Sequence, residues 1–326
     1  MSSRMIGVEI GSSTIKMTVC SGGLVKKAAV KRMPEDLVRD GRATAASAMS
    51  EFLREMRKEF GIPAGDCAFV LPSQIVISHH VSMPVMGDAE LRLNLPFEFR
   101  DFVGKDGAKY DYDYSVMSVN EGVMNLFACA VRQDVVEEYF DILKRAGLKM
   151  KVAVPLEMAL SNLVNATPNL PSSLCIVDIG HNFTRIAIFK DGNYIMGKDI
   201  ELGGSLIDQT IATNQKVDPY VARTRKESNM NKILTDEACM ESYQTIAFEI
   251  TKVLNFYSYS SEDNGSSLQD MYFCGSSSVV EPLRTALVKA TDMTLHHISR
   301  IIPGSVENDE TLSCVLAAGA SIQKAK

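Results

Sequence analysis

Two short stretches of this sequence carry the residue types that hold a polyphosphate. In Glu9-Ile10-Gly11-Ser12-Ser13-Thr14-Ile15-Lys16 an apolar strand delivers a carboxylate, a glycine lets the backbone pass close to a ligand, three hydroxyl residues fill the turn and a lysine follows. Phosphate oxygens need convergent amides and hydroxyls plus a cation, and a hydrated Mg²⁺ needs one or two carboxylates, usually through water. On this reading Gly11, Ser12, Ser13, Thr14 and Lys16 hold phosphate, and Glu9 faces the metal. Asp178-Ile179-Gly180-His181-Asn182-Phe183-Thr184-Arg185 supplies the same arrangement, with Asp178 as the second metal carboxylate and Gly180 as the second turn glycine.

The two stretches are related by one offset of 169 residues, at which Ile6 to Gly11 fall on Cys175 to Gly180, Lys16 on Arg185 and Gly22-Gly23 on Asp191-Gly192. A single acid-glycine hairpin is most often only a turn, because turns use Gly and Ser for conformational reasons. Recurrence of acid, glycine, cation and second turn argues for a ligand. Neither GxxxxGK[ST] nor GxGxxG occurs, so the P-loop and Rossmann routes to phosphate lack their signatures. Two facing hairpins of this kind would clamp a nucleoside triphosphate between two domains.

The elements that must position these turns follow from periodicity. Ile15, Met17 and Val19 alternate, as do Ile186 and Ile188, and a two-residue Gly-Gly or Asp-Gly turn follows each, so each half opens with a three-strand antiparallel meander. Met49, Phe52, Leu53, Met56 and Phe60 then share one helical face that Gly61 closes, and Ala68 to Leu71 reads as a strand. In the second half Glu237 to about Tyr259 is helical by pattern, Met271 to Cys274 a buried strand, Val279 to Ala290 a helix and Leu295 to Ile302 a strand. Strands alternating with helices indicate an α/β fold built twice. The segment between the halves has its own character: a helix-like GDAELRLNLPFEFRDF, an alternating Tyr110-Asp111-Tyr112-Asp113-Tyr114 with the aspartates toward solvent, a strand near Asn125 to Val131, and a helix Gln133 to Ala146. The expected organisation is a first domain over 1–78 and 155–172, an inserted subdomain over 79–154 and a second domain over 173–326. Low-complexity sequence is confined to Ser-rich loops at 260–267 and 275–278.

With 326 residues, a hydrophobic fraction of 46% and a formal net charge of -6, the chain reads as roughly two globular units and not as a nucleic-acid binder. No apolar run reaches the ~18 residues of a membrane helix, and Glu9 with its flanking glycines interrupts the place of a signal-peptide core, so a cytoplasmic protein is expected. The seven scattered cysteines, without a CxxC, read as reduced core residues. His79-His80 and His296-His297 are adjacent in strands and point to opposite faces, which disfavours a shared metal ion. The basic run Arg223 to Lys226 reads as a wet helix face.

The ordered motifs resemble the actin-like ATPase superfamily and, within it, the PilM-type proteins of type IV pilus assembly, relatives of the cell-division protein FtsA. VEIGSSTIK is similar to the family's first phosphate motif and IVDIGHNFTRIAIF to its second. Glu201 to Asp208 resembles its Gly-Gly loop, YFCGSSSVVEPL its adenosine motif and Ala317-Ala318-Gly319-Ala320 its final helix. The resemblance implies a duplicated actin-like, ribonuclease H-like fold with two domains around a nucleotide cleft and a subdomain inserted in the first. It implies ATP and Mg²⁺ as ligands, with Gly203 and Gly204 approaching the nucleotide by backbone, Gly275 and Ser276 at the adenosine and Lys226 in the following helix. Glu157, just before a helix, stands where the superfamily orients the attacking water.

It also implies a cytoplasmic adaptor recruited to the inner face of the membrane by the N-terminal tail of a PilN-like protein, which the inserted subdomain would hold. Pilus motor or platform proteins and a second copy of the chain are further partners; nucleic acid and direct membrane insertion are not expected. An FtsA-like filament protein, or an active ATPase or small-molecule kinase, is the alternative. FtsA-like chains end in an amphipathic anchor, whereas here the last motif is followed almost at once by Ser321 to Lys326. Glu9 in place of the family's Asp, Ser276 in place of a second glycine, and Ala222-Arg223-Thr224-Arg225-Lys226 in place of A-E-x-x-K depart from the family's pattern and argue against efficient hydrolysis, so that ATP binding with at most weak turnover is expected.

Overall fold

The computed structural model describes residues 4–34, 36–260, 268–305 and 307–322. The chain divides into two compact units, Met1–Asn162 with Leu316–Lys326, and Leu163–Val315. In the first, β1 (Arg4–Ile10), β2 (Thr14–Ser21) and β3 (Leu24–Arg32) form the expected meander. A ribbon of β4 (Val38–Arg39) and β5 (Arg42–Ala43) leads to α1 (Ala46–Glu59), which buries Met49, Leu53 and Met56 against Ile15, Met17 and Val19. This helix ends as its glycine requires: Gly61 has φ +58°, its amide bonds the Lys58 carbonyl and the Ile62 amide the Arg57 carbonyl. β6 (Gly65–Leu71) then runs parallel to β1.

β7 (Val76–Pro84), α2 (Asp88–Glu98), α3 (Arg100–Val103), β8 (Tyr110–Asn120) and β9 (Val123–Arg132) make a separate layer, an antiparallel sheet of order β7-β9-β8. Its own core includes Val81, Met83, Leu91, Leu95, Phe99 and Leu126, with Tyr110, Tyr112 and Tyr114 packed against it. α4 (Gln133–Arg145) returns to the main core through Val135, Tyr139, Ile142 and Leu143. β10 (Leu148–Pro155) pairs with β6 and completes a sheet of order β10-β6-β1-β2-β3, after which α5 (Leu156–Ala166) begins.

The second unit repeats this plan with β11 (Ser173–Ile179), β12 (Thr184–Lys190) and β13 (Asn193–Ile200), then α6 (Gly204–Gln215), α7 (Pro219–Glu227), α8 (Glu237–Ser260), β14 (Asp270–Cys274), α9 (Glu281–Thr291) and β15 (Thr294–His297). Its sheet order, β13-β12-β11-β14-β15, matches that of the first unit strand for strand. The match extends to register. Glu9 pairs with Lys16 as Asp178 does with Arg185, Lys16 with Val30 as Arg185 does with Asp199, and a β-bulge follows both Val19 and Ile188, all at the offset of 169 seen in the sequence. The turn bonds correspond as well, Gly11 N to Thr14 O at 3.0 Å and Gly180 N to Phe183 O at 2.9 Å.

Two expectations are corrected. The strand expected over Leu295 to Ile302 stops at His297, whose Nδ1 accepts the Ser299 amide and starts a turn of 3-10 helix that buries Ile298 and Ile301. Lys226 in α7 is buried, whereas Thr224 is exposed and Arg223 and Arg225 are half-buried, so the wet-face reading fails at Lys226. The Ser-rich loop at 260–267 lies, from 261 on, outside the described residues. His79 packs against the rings of both Phe99 and Phe102, with centroids 4.7 and 5.0 Å away, while His296 hydrogen-bonds Asp270 at 2.6 Å. The Cys67 and Cys129 thiols are pushed up to about 12 by burial, as suits inert core residues. No described helix is long and apolar enough to cross a membrane.

α10 (Asp309–Ser313) precedes α11 (Val315–Ser321), whose residues from Leu316 belong to the first unit. A Cβ on Gly7 would overlap the Ala317 carbonyl, and one on Gly319 the Ala159 carbonyl, so these glycines permit backbone to meet backbone. Gly7→Ala should therefore destabilise the first unit by about 3 kcal/mol, the upper end of an overpacked core, whereas Gly87→Ala, with open space around it, should change stability by less than about 0.5 kcal/mol. Urea unfolding of the two variants measures the contrast.

Candidate functional site

Each unit presents one acid-glycine hairpin. In the first, the turn runs from Gly11 to Thr14 with Ser12 exposed, Ser13 half-buried and Thr14 buried. Antiparallel pairing sets Glu9 opposite Lys16 on one face, and Lys16 Nζ donates to Glu9 Oε1 at 2.5 Å. The pair sits beside the turn: a Cβ on Gly11 would lie 3.2 Å from Lys16 Nζ. Turn hydroxyls, a cation and a carboxylate thus come together in one unit. Glu157 lies in the first turn of α5, in the same unit, and its Oε1 accepts a hydrogen bond from Ser78 at 3.4 Å.

The second hairpin is built into a larger cradle of backbone. The α6 N-terminus is stitched to the turn, Gly204 N to Gly180 O at 3.0 Å and Ser205 N to His181 O at 2.8 Å. Side chains at Gly203 and Gly204 would collide with the His181 carbonyl and with Ser277. Ser277 closes the third side, its Oγ donating to Gly180 O and its amide to Ile179 O, both at 2.9 Å. Gly275 has φ +95° and leaves room for Asp178, whose Oδ1 a Cβ would overlap. Gly180, Gly203, Gly204, Gly275 and Ser276 therefore lie in neighbouring turns beside Asp178, with Ser276 half-buried in the loop after β14, and Lys226 of α7 reaches them by donating to Gly204 O. Asp178 is half-buried and makes no ion pair among the described residues, so the second unit also holds a hard carboxylate fit for a hydrated Mg²⁺.

Beneath this cradle lies an ion pair that sequence reasoning missed. Lys226 Nζ is 2.7 Å from Asp208 Oδ1 and donates to Gly204 O at 3.0 Å, with 9% and 5% of the two side chains exposed. Burial pushes the Asp208 carboxyl up and the Lys226 ammonium down, each opposed by the charge of its partner. His181 Nδ1 stands 3.7 Å from the other Asp208 oxygen. The pair ties α7 to the first turn of α6 and so fixes the Gly203-Gly204 backbone. Its signal was an acid four residues after Gly-Gly, on the apolar face of α6 beside Ile207 and Ile211. Asp199 was missed too; it accepts a two-pronged pair from Arg185 at 2.8 and 2.7 Å.

The sequence matches the model of a family described as type IV pilus assembly protein PilM, over residues 7–302. No curated protein matches it. Among solved structures the chain is similar to the PilM-PilN type IV pilus biogenesis complex, with a TM-score of 0.84 at 19% identity over 98% of each chain. It is also similar to ethanolamine utilization protein EutJ from Carboxydothermus hydrogenoformans, at 0.64 and 16% identity over 99% of this chain and 90% of that one. MreB5 of Spiroplasma citri bound to ADP follows at 0.54 and 11% identity over 97% and 94%. At such identities the likeness establishes the fold, and the duplicated α/β architecture is the actin-like ATPase fold.

The Asp208–Lys226 pair yields a direct test of its structural weight. Lys226→Met strands a buried carboxylate and should cost about 3–5 kcal/mol, while the double variant Asp208→Leu with Lys226→Met should recover most of that loss. Equilibrium denaturation of the single and double variants measures both.

Proposed function

The chain belongs to the family of the type IV pilus assembly protein PilM, and we propose that it acts there as an ATP-binding adaptor that captures the N-terminal tail of a PilN-like inner-membrane protein. The observation that carries the nucleotide half is the register-for-register recurrence of the acid-glycine hairpin in both units. A turn conserved by chance would not keep its cation, its bulge and its turn hydrogen bond as well. The ligand is ATP with Mg²⁺. Gly11, Ser12, Ser13, Thr14 and Lys16 in the first hairpin, and Gly180 in the second, are the residues proposed for phosphate. Glu9 and Asp178 would hold the metal, and Gly203, Gly204, Lys226, Gly275 and Ser276 would serve the nucleoside. Mg²⁺ supplies charge neutralisation of the phosphates, and these residues orient and enclose them. Glu157 is the one residue proposed to orient a water, and turnover is at most weak.

For the partner half, α2 and α3 leave Leu93, Phe97 and Phe102 more than half exposed beside the small sheet. An apolar surface of this kind suits a short tail. The protein would then work in the cytoplasm, held at the inner face of the membrane by its partner, with the pilus motor, platform proteins and self-association as further contacts.

Two outcomes are expected. Mg-ATP at about 100 times its Kd adds roughly 2.7 kcal/mol of stability and should raise the melting temperature by several degrees; Asp178→Ala should remove the magnesium-dependent part. No shift at confirmed saturation would overturn the nucleotide reading. A fluorescent peptide of the partner's tail should bind with modest affinity, since ordering a flexible segment offsets much of the contact energy. Joint replacement of Leu93 and Phe97 by Glu should weaken it at least about tenfold, a loss of roughly 1.4 kcal/mol, without touching ATP binding. Unchanged peptide binding would move the docking surface elsewhere.

A further inference from the structure

Cations without an acidic partner gather at one end of the first unit. β1 runs from Arg4 to the Gly11 turn, so Arg4 marks the end of the sheet about 20 Å from the hairpin, at the rise of an extended strand. The chain returns to that end three times. The start of β3 brings Lys26 and Lys27, the end of α1 brings Arg57 and Lys58, and the end of α4 with the start of β10 brings Lys144, Arg145 and Lys149. Direct bonds hold these pieces together: Arg57 Nε donates to Ala146 O at 3.2 Å and its Nη1 to Ile62 O at 3.0 Å, Lys27 Nζ donates to Gly61 O at 3.4 Å, and Gly65 N to Gly147 O at 3.2 Å. All of these cations except Arg57 are exposed, and none forms an ion pair with a described residue. Elsewhere in the unit Arg39, Arg42, Arg54, Arg92 and Arg132 each sit in one.

Acids at this end are few. Glu59 is taken by Lys31 at 2.5 Å, Asp66 lies beside Lys149 in the strand register, and Glu55 and Asp141 stand one helical turn back. The end is therefore basic on a chain whose formal net charge is -6. Two apolar side chains lie among the cations: Leu24 after the Gly22-Gly23 turn, and Phe140, whose ring centroid is 5.9 Å from Lys144 Nζ, are 40% and 41% exposed.

We propose that this end of the first unit is a docking surface for an anionic lipid bilayer, met by adsorption without insertion. Clustered Lys and Arg are drawn to anionic headgroups, and each one near such a surface strengthens binding about fivefold. A nucleic-acid duplex would satisfy the charges but offers no apolar layer for Leu24 and Phe140, whereas the headgroup boundary of a bilayer accommodates both. The proposal deepens the reading of a protein held at the inner face of the membrane. One weak signal gives only reversible attachment and stable anchoring takes two, so this surface adds a second contact to the partner's tail. The phosphate hairpin, at the far end of the same sheet, stays open.

Co-sedimentation of the full chain with vesicles tests this. The protein should pellet with phosphatidylglycerol mixed into phosphatidylcholine, stay in solution with phosphatidylcholine alone, and be released as rising salt screens the charges. The triple variant Lys26→Gln, Lys58→Gln and Arg145→Gln should bind about a hundredfold more weakly. Lys198→Gln, Lys232→Gln and Lys289→Gln together remove the same charge from exposed positions of the second unit and should leave binding unchanged. Wild type that ignores phosphatidylglycerol at low salt overturns the proposal, and so does a first triple variant that binds like wild type. Equal losses in both triple variants would make net charge the cause and overturn the assigned surface, and preference for duplex DNA over the anionic vesicles would replace it with a nucleic-acid surface. No peptide or nucleotide enters the assay, so each of these failures leaves the tail and nucleotide readings standing.

Discussion

Strand register is the constraint on which the candidate site depends. When β1 and β2 pair so that Glu9 lies across from Lys16, both side chains must emerge on one face, and the turn that joins the strands must fall at Gly11 to Thr14. A slip of one residue between the two strands would put the acid and the cation on different faces of the sheet. The same register recurs between β11 and β12, and sheet order and bulges repeat around it. The fold is built of two copies of one device for presenting a charged, glycine-bearing turn at the end of a buried sheet.

The copies have diverged in what surrounds the turn. The first unit carries an extra antiparallel layer with its own core, and its hairpin rests mainly on hydroxyls and the Glu9–Lys16 pair. The second replaces Ser12, Ser13 and Thr14 with His181, Asn182 and Phe183 and relies on backbone instead, with α6, α7 and the loop after β14 crowding the turn so closely that side chains at Gly203, Gly204 and Gly275 are excluded. The buried Asp208–Lys226 pair holds that crowding in place. Charged groups are costly to bury, so their retention under the cradle is consistent with a need for a fixed backbone there.

Much of this was legible in the sequence because it is local. Alternation of Ile15, Met17 and Val19, the Gly-Gly and Asp-Gly turns, the closing Gly61 and the offset of 169 each follow from short-range rules and came through as expected. What was not legible is the choice among partners that only the folded chain brings together. Lys16 and Arg185 occupy matching positions, yet their partners differ because the third strand offers Val30 in one copy and Asp199 in the other. Lys226 was read on a solvated face because α7 is polar in sequence, whereas the neighbouring α6 covers it and presents Asp208. Likewise the pattern of α4 and β10 marks a helix and a strand but does not say that they build on the main sheet while β7 to β9 make a separate one.

The central claim is that the repeated hairpins serve a nucleotide, and a direct binding measurement addresses it best. Calorimetric titration of the full chain with Mg-ATP should show saturable binding, with affinity lowered by Ser12→Asp in the first hairpin and by Gly180→Val in the second. Heats that stay at the level of dilution while the protein remains folded, or binding that neither variant weakens, would contradict it.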